Sequence, residues 1–188
     1  MLTTIDLVRH AHADWTPDEN RPLSSRGRAD ASALARRLSE PPIDAICSSP
    51  ARRAIETIEP LAWACGLAPA IVDDLRERTL VVPSGASFED AIAAAWASPD
   101  VRVGGSESNR EAARRGRRVV DDVVARHAGG RVVLSTHGNL LALVLNALDP
   151  SFGLEGWRGL SFPDAWRLTF RDGVFAHFAR LAGDGRRA

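Results

Sequence analysis

The stretch from residue 4 to residue 15, Thr-Ile-Asp-Leu-Val-Arg-His-Ala-His-Ala-Asp-Trp, constrains this chain more than any other. A short apolar run over residues 5–8 breaks abruptly into Arg9-His10. The run reads as a buried strand, and a parallel sheet presents its functional groups at the carboxyl ends of its strands. Arginine is a planar fork for phosphate, and histidine can act as a nucleophile or base near neutral pH. A strand that merely ends in polar residues explains the same dipeptide, so its meaning rests on what the rest of the chain adds.

The rest of the chain alternates strand and helix signals. Strands are expected over residues 3–9, 43–48, 70–72 and 131–136. Between them, helices are expected over 26–38, from Pro50 to about Cys65, over 87–97, over 108–127 and over 138–148. Ser24 or Ser25 can cap the first helix, and Pro41-Pro42 stops it. Gly66 and Gly129-Gly130 end the second and the fourth. Residues 166–170 and 174–178 read as a hairpin around Asp172-Gly173, a type I′ turn signal. This pattern predicts an α/β fold, a three-layer α/β/α sandwich. Its central sheet is mixed but mostly parallel, with an antiparallel part near the C-terminus. Residues 1–188 read as a single domain. Residues 76–105, the least regular part, read as an excursion that forms a lid or specificity wall.

Charge and residue usage exclude several function classes. The 24 basic residues balance 24 acidic ones, so no global field draws the chain to nucleic acid or an anionic membrane. Arg110, Arg114, Arg115, Arg117 and Arg118 cluster, but Glu107, Glu111, Asp121 and Asp122 surround them, as on a solvated helix face. No stretch has the length of a membrane span, and the chain enters a strand at once without a signal-peptide pattern, so a cytoplasmic location is expected. Cys47 and Cys65 lie in apolar surroundings and read as reduced, buried fillers rather than a disulfide framework. Every basic residue is arginine, and tyrosine is absent. That removes a P-loop lysine, a lysine Schiff base and a tyrosine nucleophile.

Two further segments repeat the strand-to-cation junction. Residues 46–57, Ile-Cys-Ser-Ser-Pro-Ala-Arg-Arg-Ala-Ile-Glu-Thr, are a strand, a serine turn and a helix that opens on two arginines. A helix N-terminus favours anions, and an arginine one turn in can add a bidentate fork. Arg52 and Arg53 differ by about 100° around the helix, so only one can point into a given site. Residues 132–139, Val-Val-Leu-Ser-Thr-His-Gly-Asn, end a buried strand in a histidine before glycine opens a helix. If the two strands are parallel neighbours, His137 lies at the same sheet edge as His10.

Together, Arg9-His10, Ser-Ser-Pro-x-Arg-Arg-Ala and Thr-His-Gly-Asn resemble the histidine phosphatase superfamily, the phosphoglycerate mutase-like proteins. Pro22-Leu-Ser-Ser-Arg-Gly-Arg28 is similar to that family's Leu-Thr-x-x-Gly element, and Leu75-Arg-Glu-Arg78 to its Leu-x-Glu-Arg element. Gly104-Gly-Ser-Glu resembles its Gly-Gly-Glu-Ser turn, with the last two residues exchanged. The resemblance implies a phosphoglycerate mutase-like fold and a metal-independent phosphomonoester hydrolase without a cofactor, acting on a small phosphorylated substrate. It implies His10 as the nucleophile that forms a phosphohistidine, and Glu77 as the general acid, with Glu107 a second choice. It implies Arg9, Arg53 and His137 around the phosphoryl oxygens, with Gly138 and Thr16 also at the substrate. Arg53 is preferred to Arg52 because the family arginine directly precedes the alanine. The short span from Glu77 to Gly104 favours a phosphatase over a mutase, whose longer insertions close the site. Trp15, Phe88 and Trp96 are read as core aromatics, with a pocket wall as the alternative.

Two other readings stand beside this one. The family's Arg-His-Gly is Arg-His-Ala here, and a hydroxyl is lost at Ala13, which leaves room for a catalytically weak phosphate-binding or regulatory member of the same fold. The run His10-Ala-His-Ala-Asp14 is also a His-x-His-x-Asp pattern, which in a metallohydrolase would make His10 and His12 ligands. That reading leaves the Ser-Ser-Pro-x-Arg-Arg-Ala segment without a role.

Overall fold

A strand buried on both faces carries apolar side chains at odd and even positions alike. Strand β1 (Leu2–Arg9) sends Ile5 and Leu7 to one face and Val8 to the other; β4 (Arg131–Thr136) sends Val132 and Leu134 to the first and Val133 to the second. In the computed structural model of the chain, which describes residues 1–18 and 20–182, these two strands are parallel neighbours in a six-stranded sheet. Outside β4 lie β2 (Ala45–Ser48) and the two-residue edge strand β3 (Ala70–Ile71), both parallel to it. On the other side β5 (Asp164–Arg171) runs antiparallel to β1, and β6 (Val174–Ala182) antiparallel to β5. The two antiparallel strands are joined at Asp172 and Gly173, both at positive φ (50° and 81°), as a type I′ hairpin requires.

Two cores make three layers. Helices α1 (Ser25–Leu38) and α2 (Arg52–Cys65) bury Leu34, Leu38, Ile58 and Leu61 against Val8, Ile46 and Val133. On the opposite face, α4 (Asn109–Arg126) and α5 (Gly138–Leu148) pack Val120, Val123, Leu140 and Val144 against Ile5, Leu7, Val132 and Leu134. The excursion carries α3 (Phe88–Ala97), whose Ala91 and Ala95 form a small core of their own with Val103 and Leu80. Ser24, Ser87 and Ser108 cap α1, α3 and α4; the last two are capping boxes closed by Asp90 and Glu111.

Several local expectations need correction. Helix α2 begins at Arg52, so Pro50 precedes it rather than filling its first turn, and the helix continues through Pro60. A short helix α6 (Leu154–Arg158) was not foreseen; five residues are too few to show a period. Trp15 and Phe88 are not core residues, being 79% and 52% exposed, while Trp96 is half-buried against the α4–α5 core. Cys47 and Cys65 are free thiols, half-buried rather than buried. Among the described residues no helix is long and apolar enough to cross a membrane.

One buried charge ties three strands together. Asp6, inside the run read as apolar, has no exposed surface. Its Oδ2 accepts from Arg131 Nε (3.0 Å) and Nη2 (2.6 Å), and Arg167 of β5 reaches Oδ1 and Oδ2 at 2.7 and 2.9 Å. Arg131 also donates to the carbonyl of Leu38, the last residue of α1, and to that of Pro41 beyond it. Side chains alternate with period two, so a one-residue slip of β1 would drive this carboxylate into the α4–α5 core. Replacing Asp6 with Ala leaves a buried arginine without its counter-charge. The expected loss is about 3–5 kcal/mol, roughly 6–20 °C in Tm for a domain of this size, read by thermal and urea unfolding. A loss below about 1 kcal/mol would place the pair among weak surface bridges.

Candidate active site

The register of β1 on β4 pairs Arg9 with Thr136, so the next residue of each strand is a histidine. The His10 N–H continues the ladder to the Thr136 carbonyl at 2.9 Å, and the two imidazole centroids lie 5.1 Å apart. The loop after His10 is held from α2. The Ala11 N–H donates to Thr57 Oγ1 at 2.9 Å, and that hydroxyl donates to the Arg53 carbonyl at 2.6 Å.

Hydrogen bonds assign the tautomers. His10 Nδ1 lies 2.8 Å from the Ala11 carbonyl, which only accepts, so Nδ1 bears the proton. The lone pair is then on Nε2, which accepts from Arg53 Nε at 3.3 Å. Arg53 Nη2 lies 3.2 Å from His137 Nδ1, and since a guanidinium only donates, His137 carries its proton on Nε2. That N–H donates to Ser49 Oγ at 2.8 Å. Arg53 is buried between both rings, whereas Arg52 is exposed and bonds Glu56 at 2.6 Å.

Arg9 approaches from the other side. Its Nη1 donates to the carbonyls of Leu160 and Ser161, each at 3.3 Å, and its guanidinium lies 3.3 Å above the centroid of the Phe162 ring. Its Nε is buried with no hydrogen-bond partner among the described residues. A Cβ on Gly138 would stand 2.9 Å from that Nε and 3.1 Å from Nη2, so only glycine admits the Nε–Nη2 edge to the N-terminus of α5. Glu77 docks on the same turn. Its oxygens accept from the backbone N–H groups of Asn139 (3.1 Å), Leu140 (3.0 Å) and Arg78 (2.8 Å).

The field at this edge is strongly positive. His10 is lowered from 6.5 to about 3, first by burial and then by Arg53, Arg9 and Arg21, against the raising effect of the Ala11 carbonyl. Burial, His10 and the charges of Arg53, Arg115 and Arg21 push His137 well below the usual histidine range. Burial lowers Arg9 to about 10, opposed by Glu77 and Asp164. Both imidazoles are therefore neutral at physiological pH.

Arg9, His10, Arg53, Glu77, His137 and Gly138 thus converge on one sheet edge. Thr16 does not join them: it lies exposed on the loop, its hydroxyl directed at the Asp18 carbonyl 3.4 Å away. His12 turns to the cap of α1, its Nδ1 2.9 Å from Ser24 Oγ, and Asp14 is exposed. Among the described residues no group of three His, Cys, Asp or Glu side chains is placed to hold a metal ion. Glu107, the second choice of acid, forms a bidentate pair with Arg115 at 2.7 and 2.9 Å. Arg115 in turn binds the carbonyls of Asp74, Arg76 and Glu77, so this pair braces the segment that carries Glu77. Sequence reasoning passed over Ser49, Thr57, Arg21 and Phe162. The serine lay in a quoted motif, whereas Arg21 and Phe162 carry no local signal. The excursion meets α6, with Phe88 6.4 Å from Trp157 and Glu89 paired with Arg158 at 2.6 Å. A separate cavity of about 500 Å³ between the end of α3, α4 and α5 is lined by none of the converging residues.

Residues 5–170 match the family model described as histidine phosphatase superfamily (branch 1). The chain is 31% identical over 164 residues to phosphoglycerate mutase-like protein 4 of Arabidopsis thaliana, covering 78% of this chain and 71% of that protein. It is 32% identical over 162 residues to a metal-independent phosphoserine phosphatase of the same plant, covering 76% and 67%. Its fold superposes on a mycobacterial glucosyl-3-phosphoglycerate phosphatase solved with inorganic phosphate, with a TM-score of 0.76, 25% identity and coverage of 98% and 99%.

The depressed His10 has a consequence for stability. The folded ring resists a proton that the unfolded ring accepts, so its stabilising share is complete above about pH 6.5 and is lost as pH falls toward 3. His10→Gln removes that titration. Unfolding free energies measured from pH 7 to pH 4 are expected to fall less steeply in the variant. Parallel curves for the two proteins would mean that His10 is readily protonated in the fold.

Proposed function

This chain belongs to the histidine phosphatase superfamily, and from that premise we propose that it hydrolyses phosphomonoesters through a phosphohistidine formed on His10. The observation that carries the reading is the His10 tautomer: an unprotonated Nε2, desolvated and facing Arg53, is a nucleophile poised without prior deprotonation.

In the first step Nε2 attacks phosphorus while the bond to the leaving oxygen breaks, and Glu77, entering the step as the carboxylic acid, gives that oxygen its proton and becomes the carboxylate. The phosphorylated ring, substituted on Nε2 and still protonated on Nδ1, is cationic, and the Ala11 carbonyl stabilises it. Arg53 exchanges His10 Nε2 for a phosphoryl oxygen as its acceptor. The Nε–Nη2 edge of Arg9 and the Arg53 fork then neutralise the oxygens on which charge accumulates, which is where most catalysis of phosphoryl transfer resides. His137, neutral and protonated on Nε2, holds the Arg53 fork through its Nδ1 lone pair at 3.2 Å. In the second step water attacks phosphorus, Glu77 takes its proton, and the P–N bond breaks to restore neutral His10.

The substrate is a small phosphorylated compound. Likeness to a protein named as a metal-independent phosphoserine phosphatase supports hydrolysis without a metal ion, the positive charge coming from arginine. The short excursion, whose α3 leans on α6, favours hydrolysis over mutase chemistry.

Hydrolysis of 4-nitrophenyl phosphate in EDTA tests the route. Turnover is expected to survive chelation and to fall at least about 10³-fold in His10→Ala. Glu77→Gln is expected to slow hydrolysis of alkyl phosphates about 10²- to 10⁴-fold. It should slow 4-nitrophenyl phosphate much less, because a weakly basic leaving group needs no proton. Full activity in His10→Ala, or turnover restored only by a divalent metal, would overturn the reading. Phosphate binding without turnover would favour a regulatory member of the family.

A further inference from the structure

The Arg9 guanidinium is desolvated, yet no carboxylate is hydrogen-bonded to it among the described residues. Glu77 and Asp164 act on it only through space. Its contacts are instead two carbonyls on Nη1 and one aromatic face. A carboxylate partner would occupy the donors that an incoming phosphoryl group needs. A π face attracts the cation without using any N–H. With Nη1 on Leu160 and Ser161 and the plane fixed on the ring, the Nε–Nη2 edge beside Gly138 is left to form a bidentate contact.

The ring itself is fixed. Asp164, fully buried at the start of β5, accepts from the Ser161 N–H at 2.8 Å, and Ser161 Oγ donates to the Pro163 carbonyl at 2.8 Å. Arg180 of β6 donates to Asp164 Oδ1 at 2.9 Å, so the turn from 160 to 164 is anchored to both antiparallel strands. The ring also flanks both loop histidines, with centroids 5.5 Å from His10 and 6.3 Å from His12. Its half-buried position sets it between Arg9, His10 and solvent.

We propose that Phe162 is a positioning residue: its π face orients Arg9 for bidentate contact with the phosphoryl group and keeps water from the Arg9–His10 pair. This rests on the reading that Arg9 binds that group.

The test compares Phe162→Leu and Phe162→Met, which keep an apolar side chain without a π face, with Phe162→Tyr, which keeps the ring. Inhibition constants for inorganic phosphate and vanadate are measured beside kcat and KM, and Tm confirms folding. The Leu and Met variants are expected to lose about 10- to 100-fold in vanadate affinity and in kcat/KM, mostly through kcat. The Tyr variant is expected to recover all but about threefold of that loss. In an Arg9→Lys background, Phe162→Leu is expected to cost little more, because the two act as one unit. Equal behaviour of the Leu and Tyr variants, or additive losses with Arg9→Lys, would reduce Phe162 to filler and overturn the proposal. If Arg9→Lys alone leaves vanadate affinity and turnover unchanged, the assignment of Arg9 to the phosphoryl group fails first.

Discussion

The register of β1 on β4 is the constraint on which everything at the functional edge depends. The strands run parallel from Thr4 opposite Arg131 to Arg9 opposite Thr136, and only this alignment makes His10 and His137 neighbours. Apolar side chains alone specify it loosely, because Ile5, Leu7, Val132 and Leu134 tolerate exchange among themselves. Asp6 specifies it sharply. A fully buried carboxylate has one face on which Arg131 and Arg167 can meet it, and on the other face it would meet only hydrocarbon. The ion pair costs desolvation energy of its own, so its contribution lies in selecting one alignment more than in stabilising the fold as such.

Around the paired histidines the chain gathers arginines. Arg53 donates to two imidazoles, Arg9 to two carbonyls and a ring, and Arg21 has a buried Nε without a partner among the described residues. Glu77 sits at the margin, bound to the first turn of α5. Among the described residues the buried guanidinium nitrogens without a hydrogen-bond partner lie on Arg9, Arg21 and Arg78. Burial first, and then the neighbouring positive charges, keep the two imidazoles neutral.

Much of this edge was legible in the sequence because its residues interrupt apolar runs. Arg9, His10 and His137 stand where a hydrophobic pattern stops; helix geometry admits only one of Arg52 and Arg53 to a site, and the family resemblance selects Arg53. The layered mixed sheet followed from the alternation of strand and helix signals. What stayed hidden depends on contacts between distant segments. Asp6 was absorbed into its apolar run, because nothing local shows that Arg131 and Arg167 arrive beside it. Phe162 lies about 150 residues from its partner, as the hydrogen bonds of Arg9 to the adjoining carbonyls record. Thr16 was carried over by position in a loop whose path spacing alone does not determine. Trp15 and Phe88 were assigned to the core by hydrophobicity, a property that says nothing of whether a partner surface is nearby.

The start of α1 is also the underside of the loop that follows His10. Ser24 caps the helix through the Gly27 N–H, and the same residue donates its backbone N–H to the His12 carbonyl at 3.0 Å. A Cβ on Gly27 would stand 2.0 Å from that carbonyl oxygen, so helix and loop touch backbone to backbone. The two segments therefore order together: fraying of the first helical turn releases the residues that follow His10, and slow exchange of the Gly27 amide reports on a loop to which it does not belong. The stretch that resembles a family signature at residues 22–28 is, in physical terms, the floor on which the loop after His10 is cast.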